Sequence, residues 1–386
     1  MDNKKKLLFI VPSMVGGGVE RCLLNLINAL DHNQYAIDIL AIKSGGDLVS
    51  QIPKDVGYQY TWKKEWRLFG KRISGSDRVF SLVYRKIPAK ILSKFFIKKD
   101  YDVVIDYWGQ EGLKLATGVK GRKIAFIHSD MNTESLQTAY FPYANHEELK
   151  TAYASMDTIA CVSKDALESM EKRFHFENPA LLSVKYNINL NNVILQKADE
   201  PLDEAWKDFF CKKRGKVLCA VGRLTWIKGY DRLIKICARL KTEKVPFRLL
   251  ILGQGEEQEN LEKLIQIYQL HEDVILGGFH KNPYSFMKAS DLLVCSSHFE
   301  GFSTVVSEAV ILGIPVLTTD CTGAKEILGE SEYGMVTGKD DESLYEGLKR
   351  ILTDDNLYQR YRNAVIKRKK FFDSQTRLKE TEELFE

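Results

Sequence analysis

Two glutamates with seven residues between them, Glu300 and Glu308, sit in the stretch DLLVCSSHFEGFSTVVSEAVILGIPVLTTDCTGAKEIL, residues 291–328. The apolar run Leu292, Leu293, Val294, Cys295 has the length of a buried parallel strand. A polar loop follows and ends in Glu300, Gly301, Phe302 and Ser303. The next dozen residues read as a helix, with Ser303 or Thr304 as N-cap and Gly313 just past its end. Glu300 is then on the loop and Glu308 inside the helix. Such a strand-to-helix junction carries free backbone N–H groups and the positive end of the helix dipole, which suits an anionic or polyhydroxyl ligand.

A second set of residues is cationic. After the apolar run 216–222 comes Gly222-Arg223-Leu-Thr-Trp-Ile-Lys228-Gly229, then a helical pattern. Arg223 and Lys228 leave the carboxyl end of a strand, where Arg forks onto phosphate oxygens and Lys adds a point charge. Surface basic residues at a helix start are the alternative, but positive charge there opposes the helix dipole. Gly16, Gly17 and Gly18 follow the first strand and open a helix, so backbone there can approach a phosphate closely. The string is not GxGxxG, which argues against a nicotinamide cofactor; a bare tight turn is the other reading. His128 ends the strand IAFIH, as a buried rim residue or as a polar group at the strand's carboxyl end. Asp100-Tyr101-Asp102 is the single Asp-x-Asp string that could hold a metal, yet it precedes the strand VVID, where a boundary aspartate is commonplace.

The elements that must position these residues alternate. Strand signals at 7–13, 35–42, 101–108, 122–129 and 158–163 enclose a helix at 19–30, and the stretch 60–80 reads as loop or short helices. From Pro88 to Lys98 helical spacing places Lys90, Lys94 and Lys98 on one face and Ile91 and Phe95 on a neighbouring one. A second series runs 216–222, 230–240, 247–255, 257–270 and 274–279, and then through Cys295 and Val316. Alternation of this kind predicts the α/β class, with two doubly wound parallel sheets and an interdomain cleft at the carboxyl ends of the strands. The expected organisation is a first domain 1–188, a polar linker 189–213, a second domain 214–365 and a terminal helix 366–386 that packs back on the first domain.

At 386 residues, 44% hydrophobic and 28% charged, the chain is of ordinary globular composition. No apolar run approaches the ~20 residues of a membrane span. The start, Lys4-Lys5-Lys6 before LLFIVP, imitates a signal peptide, but the apolar core is short and reads better as a strand. Seven cysteines without CxxC spacing predict buried free thiols and a reducing, cytoplasmic setting. Residues 60–99 hold twelve Lys/Arg against Glu65 and Asp77. With Trp62, Trp66, Phe69, Phe95 and Phe96 interleaved, this block suits the anionic inner face of a membrane, the alternative being an ordinary solvated helix face. No nucleic-acid recognition module is evident.

EGFSTVVSEA with LGIPVLTTDCTGAKEIL after it resembles the donor-site signature of family 4 glycosyltransferases, retaining enzymes of the two-Rossmann-domain GT-B architecture. G-R-x4-K-G is similar to that family's diphosphate-binding loop, and GGGVER to its first-domain glycine loop. The resemblance implies a retaining, metal-independent hexosyltransferase without cofactor, moving a hexose or N-acetylhexosamine from a UDP-sugar to a glycan, lipid-linked in the membrane reading. It implies Glu300 and His128 at the reacting sugar, and Arg223, Lys228, Gly17 and Gly18 at the diphosphate. Glu300, Gly301, Phe302 and Ser303 would face the sugar and Glu308 the ribose. Gly278 and Phe279 would face the base, with His280 either beside it or a plain loop histidine. The interdomain stretch Lys185–Asn189 lacks the proline frequent in the family. Two other functions stay open: a silent nucleotide-sugar-binding subunit of a partner enzyme, and a nucleotide-sugar epimerase.

Overall fold

The structure, a computed structural model, describes residues 4–63, 67–68, 71–72, 76–133, 140–211 and 214–386, and excludes the side chains of 67–68, 71–72, 76–78 and 208. Trp66 and Phe69 of the basic block lie outside the described residues. The chain forms two compact units, Met1–Ile188 with Gln375–Glu386, and Asn189–Ser374.

The first unit is built on β1 (Lys5–Val11), β2 (Tyr35–Lys43) and β3 (Gly57–Trp62); a separate antiparallel pair, β4 (Arg67–Leu68) with β5 (Lys71–Arg72), follows. The sheet continues in β6 (Val103–Asp106), β7 (Arg122–Ile127), β8 (Thr158–Cys161) and β9 (Leu182–Val184). Its order is β3-β2-β1-β6-β7-β8-β9, parallel throughout. Helices cover both faces, so β1 is apolar without a break from Leu7 to Val11: Leu7, Phe9 and Val11 enter one core cluster, Leu8 and Ile10 the other. The strand stops one residue before Pro12, which has no N–H for the ladder. The last residues complete this unit, with Leu384 and Phe385 buried and Arg122 Nε donating to the Leu384 carbonyl at 2.6 Å.

The second unit holds β10 (Lys216–Val221), β11 (Phe247–Leu252), β12 (Val274–Gly278), β13 (Leu292–Cys295), β14 (Val316–Thr319) and β15 (Met335–Thr337). The order β12-β11-β10-β13-β14-β15 is again parallel. From β10 the chain winds outward through β11 and β12, then returns to β10's other edge with β13. The switch point, where such sheets take ligands, therefore lies between β10 and β13.

Three expectations need correction. Residues 189–213 are no linker: they contain the helices Asn191–Ala198 and Glu204–Cys211 of the second unit. Their polar composition hides Trp206, Phe209 and Phe210, which at i, i+3 and i+4 share one helical face, and Trp206 packs edge-on against Phe286. The stretch 60–80, expected as loop or short helices, carries the end of β3 and the β4–β5 pair before the helix Ser76–Lys86 begins. The terminal boundary falls at Gln375, after a helix Asp355–Arg368 that belongs to the second unit.

Candidate functional site

At the switch point, β10 and β13 each run into a loop, and the two loops are fastened together. Gly229 turns the first with a left-handed φ of 62°, and a Cβ there would lie 2.3 Å from the Ser296 carbonyl oxygen of the second. Ser296 Oγ donates to the Lys228 carbonyl at 2.9 Å, and the His298 N–H to the Ile227 carbonyl at 2.8 Å. The buried guanidinium of Arg232 donates to the carbonyls of Ser296, Ser297 and Lys339.

This brings two sequence-predicted residues into contact. Lys228 Nζ donates to Glu300 Oε1 at 2.7 Å, and Ser297 Oγ donates to the same oxygen at 2.6 Å. Gly222 makes room beneath, since a Cβ there would lie 3.2 Å from Lys228 Cε. Burial pulls the Lys228 ammonium down, but the adjoining Glu300 carboxylate outweighs it and holds its pKa above the ordinary lysine value. Arg223 is exposed at the base of the same loop, and its side chain makes no ion pair among the described residues.

The rest of the predicted donor set lies around this pair. Ser303 is the N-cap of the helix Thr304–Leu312, but its side chain makes no capping hydrogen bond, so first-turn N–H groups there are not satisfied by the cap. Phe302 is buried against Gly323, where a Cβ would come within 2.7 Å of its ring; Phe302 thus faces the core and offers a ligand only its backbone. Glu308 is buried in the helix and accepts from Tyr284 Oη at 3.0 Å. Gly278 ends β12 with open space above it, and Phe279 is exposed beside it. His280 is instead tucked in, bonded to the Gly277 carbonyl at 3.0 Å and packed on Phe286 and Trp206, which fits the plain-loop reading.

In the first unit, His128 and the glycine loop both lie at the carboxyl edge of the sheet. His128 is buried against Tyr107 and Phe126, its Nε2 has no hydrogen-bond partner among the described residues, and burial lowers its pKa to about 3. It is therefore a neutral imidazole at physiological pH. Gly17 is the uncapped N-cap of the helix Gly18–Ala29. A Cβ on Gly17 would meet the Glu20 carboxylate at 2.4 Å, whereas one on Gly18 meets nothing within 4 Å. The Asp-x-Asp string lies at the opposite, amino edge, where Asp102 is taken up by the Lys6 N–H at 2.7 Å.

Four further residues escaped the sequence reading. Ser297 and Tyr284 hold the two glutamates, and only the local Ser-x-x-Glu spacing hinted at the first. Asp106 ends β6, fully buried with an Oδ1 that has no partner among the described residues, and burial followed by the nearby Glu111 carboxylate pushes its pKa well up. Glu111 is raised as well, by burial. An aspartate closing the apolar run VVID was the available signal.

Two doubly wound parallel sheets, one gathering cations and carboxylates at its switch point, define a class. HepE of Anabaena, solved in complex with UDP, shares it: TM-score 0.76 over 98% of both chains at 17% identity. The class is the GT-B fold. The family described as "Glycosyl transferases group 1" matches residues 203–368. The Campylobacter jejuni N-acetylgalactosamine-N,N'-diacetylbacillosaminyl-diphospho-undecaprenol 4-alpha-N-acetylgalactosaminyltransferase is 36% identical over 259 residues, 66% of this chain and 67% of that protein. LpsE of Rhizobium meliloti, a lipopolysaccharide core biosynthesis glycosyltransferase, is 25% identical over 89% of this chain and 88% of its own. The chain belongs to the group 1 glycosyl transferases.

Proposed function

We propose that the chain is a retaining, metal-independent transferase of family 4 type that moves a hexose or N-acetylhexosamine from a UDP-sugar to a lipid-linked glycan. The observation that carries this is the Lys228–Glu300 contact at the switch point, with Arg223 exposed on the same loop. Lys228, held by its ion pair, and Arg223 on the same loop would take the charge that develops on a departing diphosphate, and stabilisation of that kind is often what lowers such a barrier most. Glu300 would accept hydrogen bonds from sugar hydroxyls with Ser297 holding its other contact, and the N–H groups of Gly301, Phe302 and Ser303 would face the sugar and phosphate. Glu308, braced by Tyr284, would take the ribose. A neutral His128 would position the sugar without delivering a proton. The UDP in HepE supports the choice of nucleotide, and the amino-edge position of Asp100 and Asp102 supports a mechanism without metal.

The acceptor reading draws on the name of the Campylobacter relative, which acts on a diphospho-undecaprenol substrate. It also draws on the helix Ala89–Phe96, where Ile91 and Phe95 are 60% and 66% exposed beside the exposed Lys90 and Lys94, with the exposed Lys98 just past its end. An apolar and cationic face of this kind suits an anionic bilayer, and would keep the protein at the inner membrane surface. Among the described residues no helix is long and apolar enough to cross a membrane.

The test is donor hydrolysis over a panel of UDP-, GDP- and ADP-sugars, with and without EDTA. We expect turnover of a UDP-sugar that EDTA leaves unchanged, and a drop on the order of 10²–10³ in Lys228→Ala. Loss of activity in EDTA would refute the metal-independent mechanism. For the membrane reading, flotation with phosphatidylglycerol vesicles should recover the protein at low salt and release it as salt rises. Phe95→Asp should abolish flotation, and equal recovery with phosphatidylcholine vesicles would count against it.

A further inference from the structure

The two fastened loops carry an aromatic surface that the donor site leaves unused. Trp226 and His298 stack face to face, with ring centroids 4.6 Å apart and planes 12° from parallel. Phe299 leans on Trp226 at 6.1 Å and 45°. Trp226 remains 56% exposed and Phe299 48%, with Ile227 exposed between the loops' inner ends. The three rings lie side by side, and contiguous exposed patches of this kind mark ligand or interaction sites where scattered single residues do not. The platform is held in place by the His298–Ile227 backbone bond, and it begins two residues before Lys228 on one loop and two before Glu300 on the other.

Its rim is polar, with two carboxylates that are each paired to a cation. Asp231 and Asp341 lie within electrostatic range of the His298 ring, Asp231 paired with Lys235 and Asp341 3.6 Å from the Arg232 guanidinium. A pyranose has a matching make-up, with a C–H face to lay on a flat aromatic ring and equatorial hydroxyls to donate to carboxylates. We propose that the Trp226–His298 platform, rimmed by Asp231 and Asp341, is a subsite for a pyranose ring of the acceptor saccharide. The assignment to an acceptor rests on reading the Lys228–Glu300 pair as the transfer centre; the binding of a sugar ring does not.

The experiment is saturation-transfer NMR on the full chain, with the methyl glycosides of glucose, galactose, N-acetylglucosamine and N-acetylgalactosamine and with no donor present. Saturation should fall on the ring C–H protons of at least one glycoside. Trp226→Ala should weaken its binding roughly tenfold, and Trp226→Tyr should restore it. Lys228→Ala, which removes donor turnover under the proposed function, should keep the saturation, so the two readings fail separately. Absence of saturation in the wild type, or equal saturation in Trp226→Ala, would overturn the subsite. So would a wild-type dimer in sedimentation that Trp226→Ala dissociates, which would give the platform to a second copy of the chain.

Discussion

Lys228 and Glu300 were each legible from local spacing, but their pairing was not, because it spans 72 positions and depends on how two loops meet. The same holds for Glu308, whose glutamate was read correctly as helical while its Tyr284 partner comes from a different helix. His128 shows what burial alone decides. An apolar run followed by histidine fits both a buried rim residue and a polar group at the strand's carboxyl end, and the surrounding rings of Tyr107 and Phe126 make it neutral. Its folded pKa of about 3 lies below the ordinary 6.5, so under acid the unfolded chain takes up a proton that the folded chain refuses. The stabilising contribution is complete above pH 6.5 and is lost as pH falls from there toward 3, at up to about 1.4 kcal/mol per unit. Urea unfolding of the first unit at pH 7 and pH 5 should therefore drop by about 2 kcal/mol more in the wild type than in His128→Phe. An equal drop in both proteins would show that the imidazole titrates freely. No imidazole limb is expected in the pH–rate profile between pH 5 and 8.

The parallel strands were the most legible elements, since a run buried on both faces is apolar at every position, as Leu7 to Val11 are. Short and half-exposed elements were not: β3 has no fully buried residue, and the helix Glu204–Cys211 lies in a charged stretch. The device that joins the β10 and β13 loops was invisible for a related reason. Arg232 reads as one more basic position on a helix, yet it is buried and bonds three carbonyls that no other side chain could reach together. Lysine cannot reproduce that fork. Arg232→Lys should destabilise the second unit by about 2–3 kcal/mol and raise the donor KM with the helix itself intact. Chemical denaturation alongside steady-state kinetics checks both parts; an unchanged KM would mean the loops hold their geometry without it.

Each unit has its own core, and only the first draws residues from both ends of the chain. Leu384 and Phe385 sit in the cluster of β1 and β2, with Phe385 edge-on to Tyr35 at 5.8 Å. Ending the chain at Ser374 should cost the first unit about 3 kcal/mol or more from those two side chains. Hydrogen exchange would then quicken in β1 and β2 and stay unchanged in β10 to β15; uniform loss across both sheets would contradict separate cores. The return of the terminal segment also orders events during synthesis. Residues 375–386 emerge from the ribosome only after the whole second unit has been made. The unit translated first is thus the last to be completed, and until then Tyr35 lacks the Phe385 ring that packs on it.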